Sequence, residues 1–390
     1  MPWLETNVHE QRLQFVMAAR APGACLSVVC RQFGVSRTTG YRWLRRYQAT
    51  GTLASVVAHS RRPAHCPQRT DAALVARVVA LRQTYGWAGR KLQVLLRAEG
   101  LALATATIDR IIRREGLVAP AASHRPARTR FERDAPNELW QMDFKGQYPL
   151  RDGTACFPLS VLDDHSRFAV GLFALTGTAG APVLAALRQC FERYGLPEAL
   201  LVDHGTPWWN TSNGHGLTTV SVALLTQGID LVYSGVRHPQ TQGKVERFHR
   251  TLGLRLRQWG VPQDLATFAP ALARFRTEYN EVRPHEATHL TPPATRYVPS
   301  PRPYQPEPRP WDYPTGWAIA RVDQAGCLSQ AGRRYFVCQA LAGQHVATHP
   351  LDRVLVVQYR DYYIRELDLT TGRSVPLLAR VESTPVSPMS

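Results

Sequence analysis

Glu246 is the only carboxylate in a strongly basic stretch of the sequence. The stretch HPQTQGKVERFHRTLGLRLR, residues 238–257, holds five Lys or Arg side chains. Basic side chains in such numbers suit a polyanion, most often nucleic acid. A lone Glu among them is either a salt-bridge partner or a ligand for a metal ion, and this stretch by itself leaves both interpretations open.

Two aspartates lie on elements that could reach Glu246. Asp143 lies in ELWQMDFKG, whose alternation is typical of a strand, and Asp203 ends the short apolar strand in EALLVDHG. In an open sheet, ligands gather at strand ends. Two-metal phosphoryl transfer needs carboxylates from separate elements at one point, and Mg²⁺ prefers oxygen ligands. The order and placement of the three acids favour such a site, although each acid alone is more often structural.

The elements around these acids predict an α/β core with a mixed sheet. From residue 138 the order is strand, strand, strand, helix, strand, helix, strand, helix. The last helix is predicted from about Gln242 to Trp259. Its apolar stripe, which leaves Glu246 at the edge, consists of Val245, Phe248, Leu252, Leu256 and Trp259.

Two all-α modules are predicted in front of this core. Within residues 9–48, the segment CLSVVCRQFGVSRTTGYRWLRRY indicates a helix-turn-helix, with Gly34 at the turn and Ser36 as the N-cap of a basic second helix. A second set of three short helices follows at 68–118. The alternatives are a plain basic hairpin for the first module and a small packing domain for the second. The candidate DNA contacts are Arg37, Thr38, Arg42, Arg45, Arg46, Arg90, Lys91 and Arg113.

The charge is unevenly distributed along the chain, which carries a net +17. Residues 1–130 hold 21 basic against 6 acidic side chains, whereas residues 131–237 hold 7 against 11. The basic arm favours a nucleic-acid partner, and metal binding would explain the acidic block. No apolar run reaches the length of a membrane helix, there is no signal-peptide pattern, and the seven cysteines are scattered. We therefore expect a cytoplasmic protein without a disulfide framework.

Five segments carry a resemblance to a known family: LWQMDFKG, VLDDHSRF, LLVDHGTPWW, HPQTQGKVERFHRTL and YNEVRPHEATHLTPPATRY. Together they resemble the bacterial insertion-sequence transposases with an integrase-type DDE core, in the retroviral-integrase superfamily. The resemblance covers roughly residues 8–300. It implies a ribonuclease-H-like fold in which Asp143, Asp203 and Glu246 are the catalytic and metal-binding triad for two Mg²⁺ ions, with Mn²⁺ as a substitute. Lys244, Arg247 and Arg250 would then bind DNA.

The function implied by the resemblance is DNA transposition. Such a protein binds the terminal inverted repeats of its element, hydrolyses a phosphodiester at each end and transfers the strand to target DNA. Joining two ends implies a homo-oligomer, with no membrane partner and with association with the nucleoid when active. The alternatives are a catalytically inactive helix-turn-helix regulator derived from a transposase, and a structure-selective nuclease of the same fold.

The sequence departs from the family pattern at three places. Between Asp203 and Glu246 lie 42 residues, more than is usual, and NTSNGHGLTT is the natural place for an extra loop. His204 stands where Asn often follows the second Asp, and we expect it behind the metal ligands. Gly253 stands where a basic DNA contact is common, so Arg250 or Arg255 would have to serve.

Other residues compete for the same roles. Asp163 and Asp164 end a predicted strand, and the resemblance treats the pair as structural. Trp208 and Trp209 could stack on a flipped base, but loop-anchoring aromatics are commoner.

The domain boundaries follow from these patterns, together with a Pro-rich stretch and a β-rich end. We predict a helix-turn-helix domain (1–60), a second helical DNA-binding domain (68–118), a linker (119–134), the catalytic core (135–297), a Pro-rich linker (298–316), a small β-barrel (317–372) and a flexible tail (373–390).

Overall fold

The computed structural model describes residues 8–56, 69–118, 132–210, 216–233, 243–308 and 310–381. The chain divides into two units, Met1–Asp71 and Ala72–Ser390. The described helices are α1 (Val8–Ala19), α2 (Leu26–Gln32), α3 (Arg37–Thr50), α4 (Ala72–Tyr85), α5 (Gly89–Ala98), α6 (Thr105–Arg114), α7 (Gly180–Tyr194), α8 (Thr219–Thr226), α9 (Gly243–Trp259) and α10 (Leu265–Thr277). The described strands are β1 (Leu139–Phe144), β2 (Tyr148–Pro149), β3 (Ala155–Asp163), β4 (Ala169–Leu175), β5 (Ala199–Val202), β6 (Trp209–Asn210), β7 (Gly216–Leu217), β8 (Asp230–Tyr233), β9 (Ala318–Arg321), β10 (Cys327–Gln330), β11 (Arg333–Phe336), β12 (His345–Leu351), β13 (Val354–Tyr359), β14 (Tyr362–Asp368) and β15 (Ser374–Arg380).

The first unit is the predicted helix-turn-helix, formed by α1, α2 and α3. Gly34 turns the chain with φ +65°, and the Ser36 hydroxyl caps α3 by accepting a hydrogen bond from the backbone N–H three residues later at 3.2 Å. The helices cross at Gly40, where a Cβ would lie 2.6 Å from Cys30 Sγ and 2.9 Å from Phe15 Cζ. A larger side chain at residue 40 would therefore push the helices apart.

The second unit contains the mixed sheet predicted for the core. Strands β1, β5 and β8 run parallel, while β3 pairs antiparallel with β1, and both β2 and β4 pair antiparallel with β3. Helices α7 and α8 pack on the face that carries Trp140 and Met142. Helices α9 and α10 pack on the opposite face against Leu162 and Leu172. Because β1 and β5 are parallel neighbours, their carboxyl ends lie at one edge of the sheet.

The second helical module packs against the part of the same unit that contains the mixed sheet and helices α7 to α10. Helices α4, α5 and α6 share a small core, and Val282 packs against it. The Gln258 side chain donates to the backbone carbonyl of Gln83 at 2.5 Å. The Arg283 guanidinium lies 5.3 Å from the centre of the Trp87 ring. Residues 72–118 are therefore attached to the end of α9 and the segment that follows α10.

The predicted C-terminal β-barrel is not confirmed. The described strands form an open antiparallel sheet in the order β15-β14-β13-β12-β9, with β10 and β11 as a separate hairpin. Apolar residues of this sheet share one buried cluster with the core helices α7 and α8. Thr226 and Tyr359 are joined by a hydrogen bond of 3.0 Å, and Tyr362 donates to Asp230 at 2.8 Å. The inner face is covered by the catalytic core, so the sheet can bury its apolar side chains without closing on itself.

Two predictions for the chain's end also differ from the structure. The Pro-rich stretch was expected to be a spacer, but Ser300 N donates to Tyr194 O at 2.8 Å and Leu196 N donates to Arg302 O at 2.8 Å. These bonds hold its first residues against the core. The tail was predicted from residue 373, yet β15 pairs with β14, and Arg380 forms an ion pair with Asp230. Residues 382–390 lie outside the described part.

Two further predictions fall mostly or partly on residues that are not described. They concern the linker 119–134, of which 119–131 lie outside the described ranges, and the loop NTSNGHGLTT, of which 211–215 lie outside. Among the helices in the described ranges, none has the length and apolar character required to cross a membrane.

A buried ion pair fixes the first turn of α9 to the sheet. The Lys244 ammonium pairs with the carboxylate of Asp164, which is fully buried, and also donates to the Asp164 backbone carbonyl at 3.2 Å. Asp164 further accepts hydrogen bonds from the Gln141 amide at 2.7 Å and from Arg133 N at 2.8 Å. Because three donors surround one carboxylate, its burial is compensated.

We predict that Asp164→Asn lowers the free energy of unfolding by roughly 3 kcal/mol or more, because it leaves the Lys244 ammonium without its buried counter-charge. Adding Lys244→Met to that variant should recover part of the loss. Urea unfolding of both variants measures the effect. Asp352→Asn is the matched control, since Asp352 is exposed and its positive φ suits Asn. An Asp164→Asn chain as stable as wild type would show that the ion pair does not hold α9.

Candidate active site

Asp143 lies near the end of β1, a strand in which polar and apolar side chains alternate. Trp140 and Met142 point into the buried cluster under α7, so Gln141 and Asp143 face α9 on the other side. Asp143 pairs in register with Ser160 of β3, and a quarter of its side chain is exposed. The Asp143 carboxylate therefore lies on the side of the sheet that faces α9 and is partly exposed.

Asp203 follows directly after β5, at the edge where β1 also ends. The backbone N–H of Gly205 donates to Asp203 Oδ1 at 3.0 Å. A Cβ at residue 205 would lie 3.2 Å from both carboxylate oxygens, which explains why glycine suits this turn. His204 is exposed, and its ring lies 5.1 Å from that of Tyr233. Trp208 is buried and stacks on Phe144 at 6.1 Å, which fits a loop anchor.

Glu246 is exposed in the first turn of α9. Val245 and Phe248 beside it are buried against the sheet, as the predicted stripe required. At the C-terminal end of the stripe, by contrast, the Trp259 side chain is not buried but 41% exposed. Glu246 thus stands at the edge of the buried face, on the part of α9 that the Lys244 ion pair holds.

The three predicted carboxylates lie within electrostatic reach of one another. Burial, together with the smaller effect of the negative charges of Asp203 and Glu246, raises the pKa of Asp143 to about 6. These charges come from three elements that are far apart in the sequence. The structure therefore brings the three acids into one neighbourhood.

The carboxylates do not form a ready coordination group by themselves. In the described ranges, no cluster of three or more His, Cys, Asp or Glu side chains is close enough to hold a metal ion. Like charges repel, and the charges of Asp203 and Glu246 add to burial, the largest cause, in raising the pKa of Asp143. Oxygen donors that repel one another at the open edge of a sheet fit a hard divalent cation, which would neutralise them.

His249 is a site residue that the sequence interpretation missed. Its Nδ1 lies 3.7 Å from Asp143 Oδ2, and its Nε2 lies 2.9 Å from Ser160 Oγ. Burial, with the charge of Lys145 adding to it, lowers the pKa of His249 to about 4, so the ring is neutral at pH 7. A neutral ring held by Ser160 can orient the Asp143 carboxylate. The spacing of three residues from Glu246 on a helix was the available signal, but the register of Ser160 with Asp143 was not visible.

Asp163 and Asp164 take no part in this group of acids. Both are fully buried. Asp163 accepts hydrogen bonds from Asn137 N at 2.8 Å and Ser166 N at 2.7 Å. Burial raises the pKa of Asp163. Their oxygens are occupied by donors within the fold, which agrees with a structural role.

The basic residues near Glu246 have different surroundings. Lys244 is half-buried against Asp164, and burial lowers its pKa to about 8. Arg247 forms an ion pair of 2.9 Å with Glu286, both about half exposed, and Arg250 is exposed. Arg255, one of the two substitutes considered for Gly253, is buried and paired with Glu278. Of these side chains, Arg247 and Arg250 are the most accessible to DNA.

The predicted DNA contacts of the helical modules are mostly accessible. Arg46 is partly buried and lies 4.9 Å from the Trp43 ring. Lys91 is partly buried as well, and burial followed by the charge of Arg283 lowers its pKa to about 8. The predicted DNA contacts that are exposed are Arg37, Thr38, Arg42, Arg45, Arg90 and Arg113.

Clustering of the acids predicts a pH-dependent stability. A carboxyl group whose pKa is raised from 3.8 to about 6 by folding stabilises the fold below pH 3.8, and this contribution is lost as the pH rises through 6. In metal-free buffer, Asp143→Asn should therefore be more stable than wild type at pH 7. The difference should vanish below about pH 4. Chemical unfolding at both pH values measures it, with Asp352→Asn as control. A variant less stable than wild type at pH 7 would contradict the clustering.

Family models match most of the chain in consecutive segments. Models described as integrase core domain match residues 133–239 and 227–293. Models described as homeodomain-like domain match residues 6–56 and 39–112. The integrase matches include all three acids, and the homeodomain-like matches include the helix-turn-helix.

Similar proteins occur in bacterial mobile elements. An uncharacterized 31.7 kDa protein of insertion element IS407 from Burkholderia multivorans is 27% identical over 64% of this chain and 88% of its own length. An uncharacterized 39.2 kDa protein of IS476 from Xanthomonas euvesicatoria is 29% identical over 62% and 69%. The transposase of Tn552 from Staphylococcus aureus is 30% identical over 31% and 27%. The chain is therefore similar to proteins of bacterial insertion elements, and it carries matches to integrase core and homeodomain-like domains.

Proposed function

We propose that this chain cuts and joins DNA as a metal-dependent transposase, with Asp143, Asp203 and Glu246 as its metal-binding catalytic residues. The observation that carries the proposal is the raised pKa of Asp143, caused by burial and by the charges of Asp203 and Glu246. A site that gathers acids at a destabilising distance is a candidate for catalysis. The matches to integrase core domains and the similarity to the transposase of Tn552 support the reaction class.

The three carboxylates would hold two Mg²⁺ ions, for which Mn²⁺ could substitute. Bound divalent ions lower the pKa of an attacking water and neutralise charge on the phosphate. The chain's own residues supply the arrangement: β1 and β5 fix the two aspartates, and α9 carries Glu246 to them. His249, neutral and hydrogen-bonded to Ser160, keeps Asp143 oriented.

The reaction proceeds in two displacements at phosphorus. In the first, a water oxygen bonds to phosphorus and the bond to the departing 3′ oxygen breaks, which leaves a 3′-hydroxyl on the element end. In the second, that hydroxyl oxygen attacks a phosphodiester of the target strand, and a target 3′-hydroxyl leaves. One phosphodiester replaces another in the second step, so no external energy source is required.

The division of labour follows the predicted domains. The helix-turn-helix at 1–60 and the helical module at 68–118 would read the terminal inverted repeats, and the core at 135–297 would cut and join. Exposed arginines on α3 support the first role. Because two element ends must be joined to one target, we propose a homo-oligomer.

Single substitutions Asp143→Asn, Asp203→Asn and Glu246→Gln should abolish Mg²⁺-dependent cleavage of labelled element ends and leave end binding within about twofold, because each removes a metal ligand without removing a fold contact. Cleavage is followed on a denaturing gel and binding by mobility shift. Asp352→Asn and Glu192→Gln, both exposed, are the matched controls.

The proposal would be contradicted if the triad variants cleaved element ends as wild type does. Loss of cleavage in a folded Asp163→Asn chain alone would also contradict it. A wild-type chain that binds ends but does not cut them with Mg²⁺ or Mn²⁺ would instead support the inactive regulator.

Arg42→Ala and Arg45→Ala, both on exposed positions of α3, should weaken binding of the full chain to element ends. An arginine that contacts a base should cost about 1–3 kcal/mol and relax the preference for the terminal sequence. Filter binding to terminal and random duplexes measures both effects. Arg188→Ala on α7 is the control for loss of one exposed charge. Equal affinity of wild type for terminal and random DNA would exclude specific reading by α3.

A further inference from the structure

Two positively charged side chains lie close to one glycine of α9. A Cβ built at Gly253 would lie 3.6 Å from both Cε and Nζ of Lys145, and 3.8 Å from an Nη atom of Arg257. Lys145 comes from the end of β1, where its backbone N donates to Pro158 O at 2.9 Å. Arg257 lies one turn further along α9 and is exposed. The two side chains thus reach the same spot from different elements.

Within the described ranges, the positive charges at this spot have no acidic partner. Across the described residues, neither Lys145 nor Arg257 forms an ion pair or a side-chain hydrogen bond. Most other basic side chains near α9 have an acid: Lys244 has Asp164, and Arg255 has Glu278. Like charges held together repel, so an anion bound between them would be stabilised.

This pair of cations adjoins the proposed metal site. Gly253 follows Glu246 by seven residues, which places both on one face of α9, two turns apart. Lys145 follows Asp143 by two residues in β1 and the turn after it. The charge of Lys145 also contributes to the lowered pKa of His249, whose ring lies 3.7 Å from Asp143. An anion bound by Lys145 and Arg257 would therefore lie on the same face of α9 as Glu246, about two turns along the helix.

Glycine at residue 253 makes room for the Lys145 side chain. Its φ is not in the left-handed region, so the backbone does not require it, and glycine within a helix is destabilising relative to alanine. A long side chain at 253 would compete for the space that Lys145 occupies. The bare helix surface lets a lysine from the sheet lie across α9.

We propose that Lys145 and Arg257 form a binding site for a DNA backbone phosphate next to the cut site. The ammonium offers three donors and the guanidinium a planar fork, and both suit phosphate oxygens. Contacts to phosphate hold DNA in position without reading its sequence. The inference rests on the proposed function, since it takes DNA to be the substrate.

The test compares wild type, Lys145→Ala and Arg257→Ala in full-length protein. Affinity for a labelled element end and for a random duplex of equal length is measured from low to moderate salt, without metal. Each variant should lose about tenfold in affinity for both duplexes, as expected for one charge-assisted contact, and the slope of log affinity against log salt should fall by about 1. In the cleavage assay, the loss should appear in KM rather than in kcat.

A rescue variant separates a phosphate contact from a folding defect. Gly253→Lys in the Lys145→Ala chain places a new ammonium in the vacated space and should restore affinity and salt slope. Gly253→Ala should bind as wild type does, because a Cβ there makes only ordinary contacts. Arg188→Ala controls for the loss of any exposed charge.

Unchanged affinity and slope in Lys145→Ala and Arg257→Ala, or losses no larger than in Arg188→Ala, would overturn the inference. Failure of Gly253→Lys to restore binding to the Lys145→Ala chain would also count against it. Failure of the proposed function is distinguishable, since it would appear as a wild-type chain that cannot cut DNA, whatever the binding measurements give.

Discussion

The first turn of helix α9, which carries Glu246, is fixed to the sheet. The buried pair of Lys244 and Asp164 supplies this attachment, and Phe248 and Leu252 continue it as apolar packing. Breaking such a pair by removing one partner typically costs about 3–5 kcal/mol. The same contact explains why a lysine that looks made for DNA lies half-buried. The positive charge of Lys244 helps to hold α9 against the sheet.

The second constraint is repulsion between acids. Asp143, Asp203 and Glu246 come from β1, the end of β5 and α9, and burial followed by the charges of the other two acids raises the pKa of Asp143 to about 6. His249 adds a neutral hydrogen-bonding group, and the proposed phosphate site at Lys145 and Arg257 adds positive charge beside the acids. Negative, neutral and positive groups thus follow one another across α9 and the edge of the sheet. Such an order suits a substrate that carries its own negative charge and reacts at a cation.

Much of this could be predicted from residue patterns that act locally. The N-cap at Ser36, the apolar stripe of α9, the strand that contains Asp143 and the strand that precedes Asp203 depend on neighbours in sequence. The mixed sheet followed from the alternation of elements. The three acids were recognisable because their order and their basic surroundings resemble a family.

What escaped prediction depends on pairing between distant segments. His249 gains its role from Ser160, which the register of β3 with β1 places opposite Asp143. The proposed site at Gly253 depends on a side chain that arrives from β1. The C-terminal strands were expected to close a barrel, yet their apolar face is covered by α7 and α8, and β15 lies where a tail was expected. No local pattern encodes which distant surface will cover a sheet.

The claim on which the rest depends is that Asp143, Asp203 and Glu246 share a divalent cation. Crystals of the full chain soaked in Mn²⁺ test it directly, because the anomalous signal of the ion locates it without assumptions about activity. The account predicts a peak within coordination distance, about 2.0–2.3 Å, of carboxylate oxygens from all three residues, and loss of that peak in Glu246→Gln. A peak at Asp163 or Asp164, or an Mn²⁺ ion that is not coordinated by Glu246, would contradict it.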